Sequence, residues 1–539
     1  MAAPVPMPGW TVMERLDAAM TTLEKTGRPD PTGDSLFSDS GILRFYRGRG
    51  CKPAWVVQGT ITAACRQLFE AVKRSRLDGL DPDDYHSREI DSFLALIPIP
   101  GRNPIGPFRF GSTASVSLDL LLTDAYLTLG DHLLSGRIRP RGLNDLWHIA
   151  REDLDLPGRL ESALGSGIDI GESLAGLAPR DPGYALMKKW LAEFRKMMMF
   201  GGWPEIPDGP TIAPGGRDER VEALCRRLHA EGDLPNGACP DSLSPEMAAG
   251  LRRFQERHGL EPTGTATNAV FTEFAPTVGD RIVQIKINLE CWRWLPLDLG
   301  RRHVRVNIAD YRLQAFEDGR KALGMKVIIG RKEDRTPVFS DRITALTLHP
   351  PWNVPAVIAR EEILPEWRKD AGYLARNEME IVSASGGPIS FDPGNLQGIQ
   401  ARWEVLGYRI RQRPGAANAL GLIKFELTNP FNIYLHDTPS PAAFLRDYRA
   451  LIHGCVRVEK PMELAIWALG PDSAAYARRL QNALAGGRTA TLALPGSGIP
   501  VYLLYWTAFT DDRGGLAFRR DIYGWDVKLA EALREPPIL

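Results

Sequence analysis

The chain has 539 residues, 44% of them hydrophobic, and its 66 basic and 66 acidic side chains cancel to a formal net charge of zero. A single core stops growing near ~250–300 residues, so several domains are expected. The balanced charge excludes a molecule-wide field that would mark a binder of nucleic acid or anionic membrane. No apolar run approaches the ~20 residues that a membrane-spanning helix needs.

The N-terminus, "MAAPVPMPGW", lacks the basic and apolar regions of a secretory signal, and a Met joined to a trimmed mature sequence would look the same. Residues 11–205 read as a helical domain. "AACRQLFEAVKRSRLDGLD" spaces Cys65, Leu68, Phe69 and Val72 as one buried stripe, and "SVSLDLLLTDAYLTLGDHLLSGRI" and "PGYALMKKWLAEFRKMMMF" continue the helical period. His86, His132 and His148 are isolated and read as surface or hydrogen-bonded core histidines. "GGWPEIPDGPTIAPGG" is a Gly/Pro-rich linker. Beyond it, residues 217–278 form a small module of two helices around the loop "PNGACPDSL", with Ser244 as the N-terminal cap of the second. Residues 279–300 read as a linker helix.

From residue 301 the period alternates, and 301–539 reads as a β-rich domain interrupted by a capping insertion at about 355–405. Strands are expected on both sides of the turn "EDGR", in "DRITALTLHPPWNVP", "WEVLGYRIRQRPG", "LGLIKFELTN" and "NIYLH", and in a hairpin across "DDRGG", followed by the helix "WDVKLAEAL". The fold class is therefore a multidomain α+β chain. Of the six cysteines, Cys51 with Cys65 and Cys225 with Cys239 lie close enough in sequence to bridge in an oxidising compartment; unpaired burial as small hydrophobes is the competing reading. No C-x-x-C spacing points to zinc, and no metal or cofactor is expected.

"IYLHDTPSPAAFLRDYRALIHGCVRV" gathers two of the nine histidines and a cysteine. His436 stands where an alternating strand ends. Gly454 lets the backbone bend ahead of Cys455, and free N–H groups there would lower the thiol pKa and offer donors to an oxyanion. A thiol near pKa ~8.5 is mostly protonated at neutral pH and needs a nearby base. His436 can approach Cys455 across strand ends, whereas His453 is two residues away with its side chain tending to point elsewhere; spacing alone leaves the opposite assignment open.

This stretch closely resembles the signature of the L,D-transpeptidases, a His followed through a loop by Ser-His-Gly-Cys-hydrophobic-Arg. "FYRGRGCKPAWV", "RLDGLDPDDYH", "NLECWRWLP", "TPVFSDRI", "PPWNVPAVI", "RQRPGAANALGLIKFELTN" and "RRDIYGWD" resemble the large periplasmic branch of that family, in its order. "AAGLRRFQERHGLEPTG" is similar to a peptidoglycan-binding helical domain, although "PTGTATNAVFTEF" departs from the usual ending. The resemblance implies Cys455 as nucleophile, His436 as base, the backbone carbonyl of Asp437 orienting the imidazole, and the backbone of His453 and Gly454 at the oxyanion. Tyr434, Trp352 and Arg457 would contact substrate. It implies a periplasmic, cofactor-free enzyme acting on peptidoglycan stem peptides. Such an enzyme would make Dap-to-Dap crosslinks, be acylated by carbapenems, and work beside other cell-wall synthesis proteins. Ile452 stands where the family usually has Ser. A cysteine hydrolase or amidase on the same scaffold, a non-catalytic wall-binding protein and an unrelated cytosolic cysteine enzyme are the competing readings.

Overall fold

A computed structural model describes residues 11–26, 36–97, 108–149, 152–389, 407–470 and 473–536. The chain divides into two compact units, one of residues 1–144, 149–298 and 506–539, the other of residues 145–148 and 299–505.

The first unit is built on helices. Its longest, Ser112–Ser135, is buried around most of its circumference because it is apolar on nearly every side. Two of the exceptions, Asp119 and Asp124, serve as anchors for backbone. Asp119 accepts from the N–H groups of Ala54, Trp55 and Val56 at 2.8 Å and from the Tyr46 hydroxyl at 2.7 Å. Asp124 accepts from the N–H of Ser38 at 2.7 Å and lies 2.7 Å from His86 Nε2. Buried carboxylates are tolerated when donors surround them in this way. His86 and His132, which lies 3.0 Å from the Tyr85 hydroxyl, are hydrogen-bonded core histidines.

In the small module, helices Val221–Ala230, Pro245–Arg257 and Asn268–Phe274 close over Leu224, Leu228, Leu251 and Phe254. The Ser244 hydroxyl caps the middle helix at the Met247 N–H. Cys225 and Cys239 form a disulfide that fastens the "PNGACPDSL" loop to the first helix. Cys51 and Cys65 do not bridge. Each is buried among its own neighbours, Cys51 with its thiol 3.6 Å from Asp17 Oδ1 and Cys65 inside the core of helix Ala63–Arg74. The helix Val278–Arg293 starts on a capping box between Thr277 and Asp280. The hairpin Ala508–Thr510 with Leu516–Phe518 and the helix Trp525–Ala532 belong to this helical unit, which corrects the expectation of one β-rich domain over 301–539. The stack of Trp506 on Trp292, 4.1 Å between centroids, ties them to Val278–Arg293.

The second unit is a 12-stranded sheet. Its strands are β1 (Arg302–Asn307), β2 (Arg312–Glu317), β3 (Arg320–Gly330), β4 (Val338–Ile343) and β5 (Ala345–Leu348). After an insertion holding β6 (Trp352–Asn353), β7 (Met379–Val382) and β8 (Arg409–Gln412), the sheet resumes with β9 (Ile423–Glu426) and β10 (Leu435–His436). It is completed by β11 (Ala450–Ile452), β12 (Val456–Val458), β13 (Ala490–Ala493) and β14 (Ile499–Leu504). The order is β13-β5-β9-β10-β12-β3-β2-β1-β14-β4, with Trp147–His148 at the far edge and β11 beside β3. Where the sequence suggests two strands around "EDGR" there are three, because the chain also turns at Tyr311, whose φ is +53°.

The insertion folds on itself. β7, β8 and β6 form a separate sheet, and Val354, Ile363, Leu364, Trp367 and Ile410 make its own apolar core. Residues 390–406 of the expected cap lie outside the described residues.

Candidate active site

Three neighbouring strands build the site from one rule, that alternate side chains face opposite sides of a sheet. In β9, Ile423 and Phe425 are buried and Lys424 and Glu426 face the other way. In β12, Val456 and Val458 are buried and Arg457 faces the side of Lys424. The register sets Lys424 opposite His436 and His436 beside Arg457, so three side chains of unlike chemistry stand in one row across β9, β10 and β12. β10 and β12 run parallel, which brings Tyr434 and Cys455, just ahead of the paired residues, to the same end of the sheet.

Each member is held by its surroundings. His436 is 3% exposed. Its Nδ1 is 2.6 Å from the carbonyl of Asp437, to which the ring N–H donates. That tautomer leaves Nε2 as the basic nitrogen. The Asp437 carboxylate accepts from the N–H of Leu422 at 2.8 Å and of Thr438 at 2.7 Å, which fixes the loop before β9 against the end of β10. Burial, reinforced by the Arg457 charge, pushes the His436 pKa down to about 3, so the ring is neutral at ordinary pH.

Cys455 is a free, half-buried thiol. Burial pushes it up to about 11, while hydrogen bonds from the Tyr434 backbone and hydroxyl and the charges of Lys424 and Arg457 pull it down. In this resting state the thiol donates to the carbonyl of Asn432 at 3.6 Å, and no hydrogen bond joins it to His436. Asn432 holds a left-handed φ of +57°, and the Asn429 side chain braces that turn by accepting from the N–H groups of Phe431 and Ile433. Gly454, at φ +74°, turns the chain immediately before the sulfur, and a Cβ there would come within 3.2 Å of Ile433 Cδ1. The Cys455 N–H is folded back onto the His453 carbonyl at 2.9 Å. The N–H groups of His453 and Gly454 make no hydrogen bond with any described residue, which leaves these two as donors for an oxyanion.

The His453 ring points away from the sulfur's partners and toward the insertion. Its Nε2 lies 2.7 Å from Glu362 Oε1 and 2.9 Å from the Arg331 guanidinium, and Arg331 in turn reaches Glu362 at 3.3 Å. Arg457 is partly buried, and its Nε has no hydrogen-bond partner among the described residues. Trp352 packs at the edge of the insertion's core, on the short strand β6. Two groups are not legible from sequence, Lys424 and the Asn432 carbonyl. The alternation in "IKFE" puts Lys424 on the face of Glu426, but only the register with β10 puts it beside His436.

Among the described residues, the one His/Cys/Asp/Glu group close enough to hold a metal is Cys225, His229 and Cys239, and its two sulfurs are bonded to each other.

The described site sets a free cysteine one strand from a histidine held by a backbone carbonyl. Residues 301–492 match the L,D-transpeptidase catalytic domain, residues 40–191 a scaffold domain and residues 217–273 a "putative peptidoglycan binding domain". The three matched stretches follow one another along the chain in the order scaffold, peptidoglycan-binding and L,D-transpeptidase catalytic domain. A "Putative L,D-transpeptidase" of Haemophilus influenzae is 34% identical over 264 residues, a stretch that covers 48% of this chain and 52% of that protein. The chain thus spans about half the length of this curated relative. The crystal structure of an L,D-transpeptidase from Xylanimonas cellulosilytica is 14% identical, covers 55% of this chain and 98% of that one, and superposes with a TM-score of 0.16, too slight a likeness to argue from.

Proposed function

We propose that the protein is a peptidoglycan L,D-transpeptidase that forms Dap-to-Dap crosslinks through a thioester on Cys455. The observation that carries this reading is the row on the sheet: a neutral, carbonyl-oriented His436, a free thiol one strand away, and Arg457 on the same face, its Nε without a partner among the described residues.

The thiol proton passes to His436 Nε2 as the sulfur attacks the carbonyl between diaminopimelate and the terminal D-Ala of a tetrapeptide stem. His453 and Gly454 N–H groups receive the developing oxyanion. The imidazolium, unfavourable in this buried site beside Arg457, returns its proton to the leaving amine, and D-Ala departs. The side-chain amine of a second stem then attacks the thioester, His436 takes its proton, and the thiol is restored. Arg457 offers its charge to a substrate carboxylate. No metal or organic cofactor enters these steps. The capping insertion, joined to the nucleophile loop through Glu362 and His453, favours an amine over water by covering the acyl-enzyme. Substrate of this kind places the protein outside the cytoplasm, in the periplasm, with carbapenems as acylating inhibitors and cell-wall synthesis proteins as neighbours.

The test is incubation with tetrapeptide muropeptides and, separately, with meropenem. Crosslinked dimers from the native chain and none from Cys455→Ala are expected, together with a meropenem mass adduct on the native chain alone. Trimmed monomers without dimers would replace transfer by hydrolysis. An adduct on both proteins, or on neither, would remove Cys455 from the reading.

A further inference from the structure

The resting site poses a problem. Its base is neutral and buried, its thiol is parked on a carbonyl, and the orienting bond of His436 goes to a backbone carbonyl rather than a carboxylate. A nucleophile in that position needs help from something other than the histidine.

Lys424 is suitably placed. It stands directly opposite His436 in the antiparallel pair of β9 and β10, on the site face. Its Nζ lies 4.2 Å from the centroid of the Tyr434 ring, the range of a cation–π contact. Tyr434 in turn stands beside Cys455 at the same end of the parallel pair β10–β12, where the Val456 N–H donates to the Tyr434 carbonyl at 3.1 Å, and from there its phenol lowers the Cys455 pKa. The ammonium is kept over the ring by Glu426, 2.7 Å away on the same strand, and Glu426 is held by the Thr347 hydroxyl at 2.7 Å. Lysine, phenol and sulfur thus stand on three neighbouring strands, β9, β10 and β12, on the site face of the sheet.

We propose that Lys424 is a positioning residue for the nucleophile: its ammonium, lying against the Tyr434 ring, makes the phenol a stronger donor and so holds the Cys455 sulfur as thiolate ahead of attack. A cation on the face of an aromatic ring withdraws electron density, and the O–H becomes more acidic as a donor without giving up its proton. The thiol proton leaves to His436 or to solvent, and no other atom changes hands. The charged and titratable groups facing the sulfur are Lys424 and Glu426 from β9, Tyr434 and His436 from β10 and Arg457 from β12. Of these, Arg457 favours the thiolate but also disfavours the imidazolium, and Glu426 opposes both cations. The Lys424 charge also acts on the sulfur and on His436 directly, and the Tyr434→Phe background separates that part from the part carried by the phenol.

This inference rests on Cys455 being the nucleophile, and its test reads the sulfur directly rather than the crosslinking reaction. The rate of Cys455 carbamidomethylation by iodoacetamide is followed by peptide mass against pH in the native chain, Lys424→Met, Lys424→Arg and Tyr434→Phe, with folding checked by thermal melting. Lys424→Met and Tyr434→Phe are each expected to move the profile to higher pH, slowing alkylation at pH 8 about threefold to tenfold, the size of a partly desolvated cation–π contact. Lys424→Arg is expected to restore most of the rate. A merely structural lysine would alter melting without moving the profile. Superimposable profiles for native and Lys424→Met chains overturn the proposal, as does a shift in Lys424→Met that persists undiminished in the Tyr434→Phe background. Loss of crosslinking in Cys455→Ala alongside superimposable profiles would sink this inference and leave the proposed function standing. Retention of crosslinking in Cys455→Ala would sink the function itself.

Discussion

The protein holds two cysteine–histidine neighbourhoods, and they have opposite fates. In the helical module, Cys225 and His229 sit four residues apart on one helix, so they share a face and the sulfur comes within 3.8 Å of Nε2. Sequence proximity could hardly be better. Yet that sulfur is bonded to Cys239, and a disulfide has no thiolate to offer. In the sheet, Cys455 and His436 are nineteen positions apart, and only the parallel pairing of two short strands brings them together. Cys455 differs from Cys225 in having a free sulfur, a histidine whose orienting bond goes to backbone, and a neighbouring arginine whose Nε has no partner among the described residues.

The sharpest way to break the comparison is to exchange the histidines' fates. His436→Gln is expected to lower crosslinking by ~10²–10⁴-fold, the usual contribution of a general base, whereas His229→Gln should leave the rate unchanged. An equal loss in both would erase the distinction. The second contrast concerns the sulfurs. Cys239→Ser opens a loop of 14 residues and is expected to cost the module about 3 kcal/mol in chemical denaturation without altering Cys455 alkylation.

The arginines differ in the same sense. Arg227 is buried against Glu231 at 2.5 Å, so Arg227→Gln should destabilise by ~3 kcal/mol through the carboxylate left behind. Arg457 has no acidic partner among the described residues, and Arg457→Gln should spare stability while raising the donor KM about tenfold, as expected for one lost charge-assisted contact.

The smallest effect is in acid. An imidazole with a pKa near 3 in the folded chain and about 6.5 when unfolded binds its proton first in the unfolded state. Stability of the sheet unit is therefore full above pH ~6.5 and declines as pH falls toward the folded value, by ~1.4 kcal/mol per pH unit for this one group. Urea titrations at pH 7 and pH 5 should show that slope in the native chain and its loss in His436→Gln. Over the same range, Cys455 alkylation should show no step near pH 6.5, because the ring beside it stays neutral.

Much of this was legible in the residues themselves. The alternation in "FNIYL" and the glycine before Cys455 marked a strand end and a bend, and the Asp437 carbonyl lies at the histidine as the family pattern implied. The hairpin across "DDRGG" and the cap at Ser244 are local signals, and local signals survive folding. Lys424 was not legible, since its role depends on which residue of another strand it faces. Nor was the departure of residues 506–539 from the sheet unit, which turns on tertiary packing such as Trp506 against Trp292. The paired Cys225 and the unpaired Cys65 look alike in sequence, because both lie at buried positions on amphipathic helices and differ only in what the next loop brings near.

The insertion enters the sheet unit at Trp352–Asn353 and leaves it at Arg409–Gln412, and these two segments are hydrogen-bonded to each other. Chain ends one strand spacing apart, ~4.8 Å, can be closed by a two-residue turn. With its own apolar centre around Trp367, this part of the molecule behaves as a detachable cassette, suited to exchange between relatives as a single piece while the sheet beneath stays unaltered.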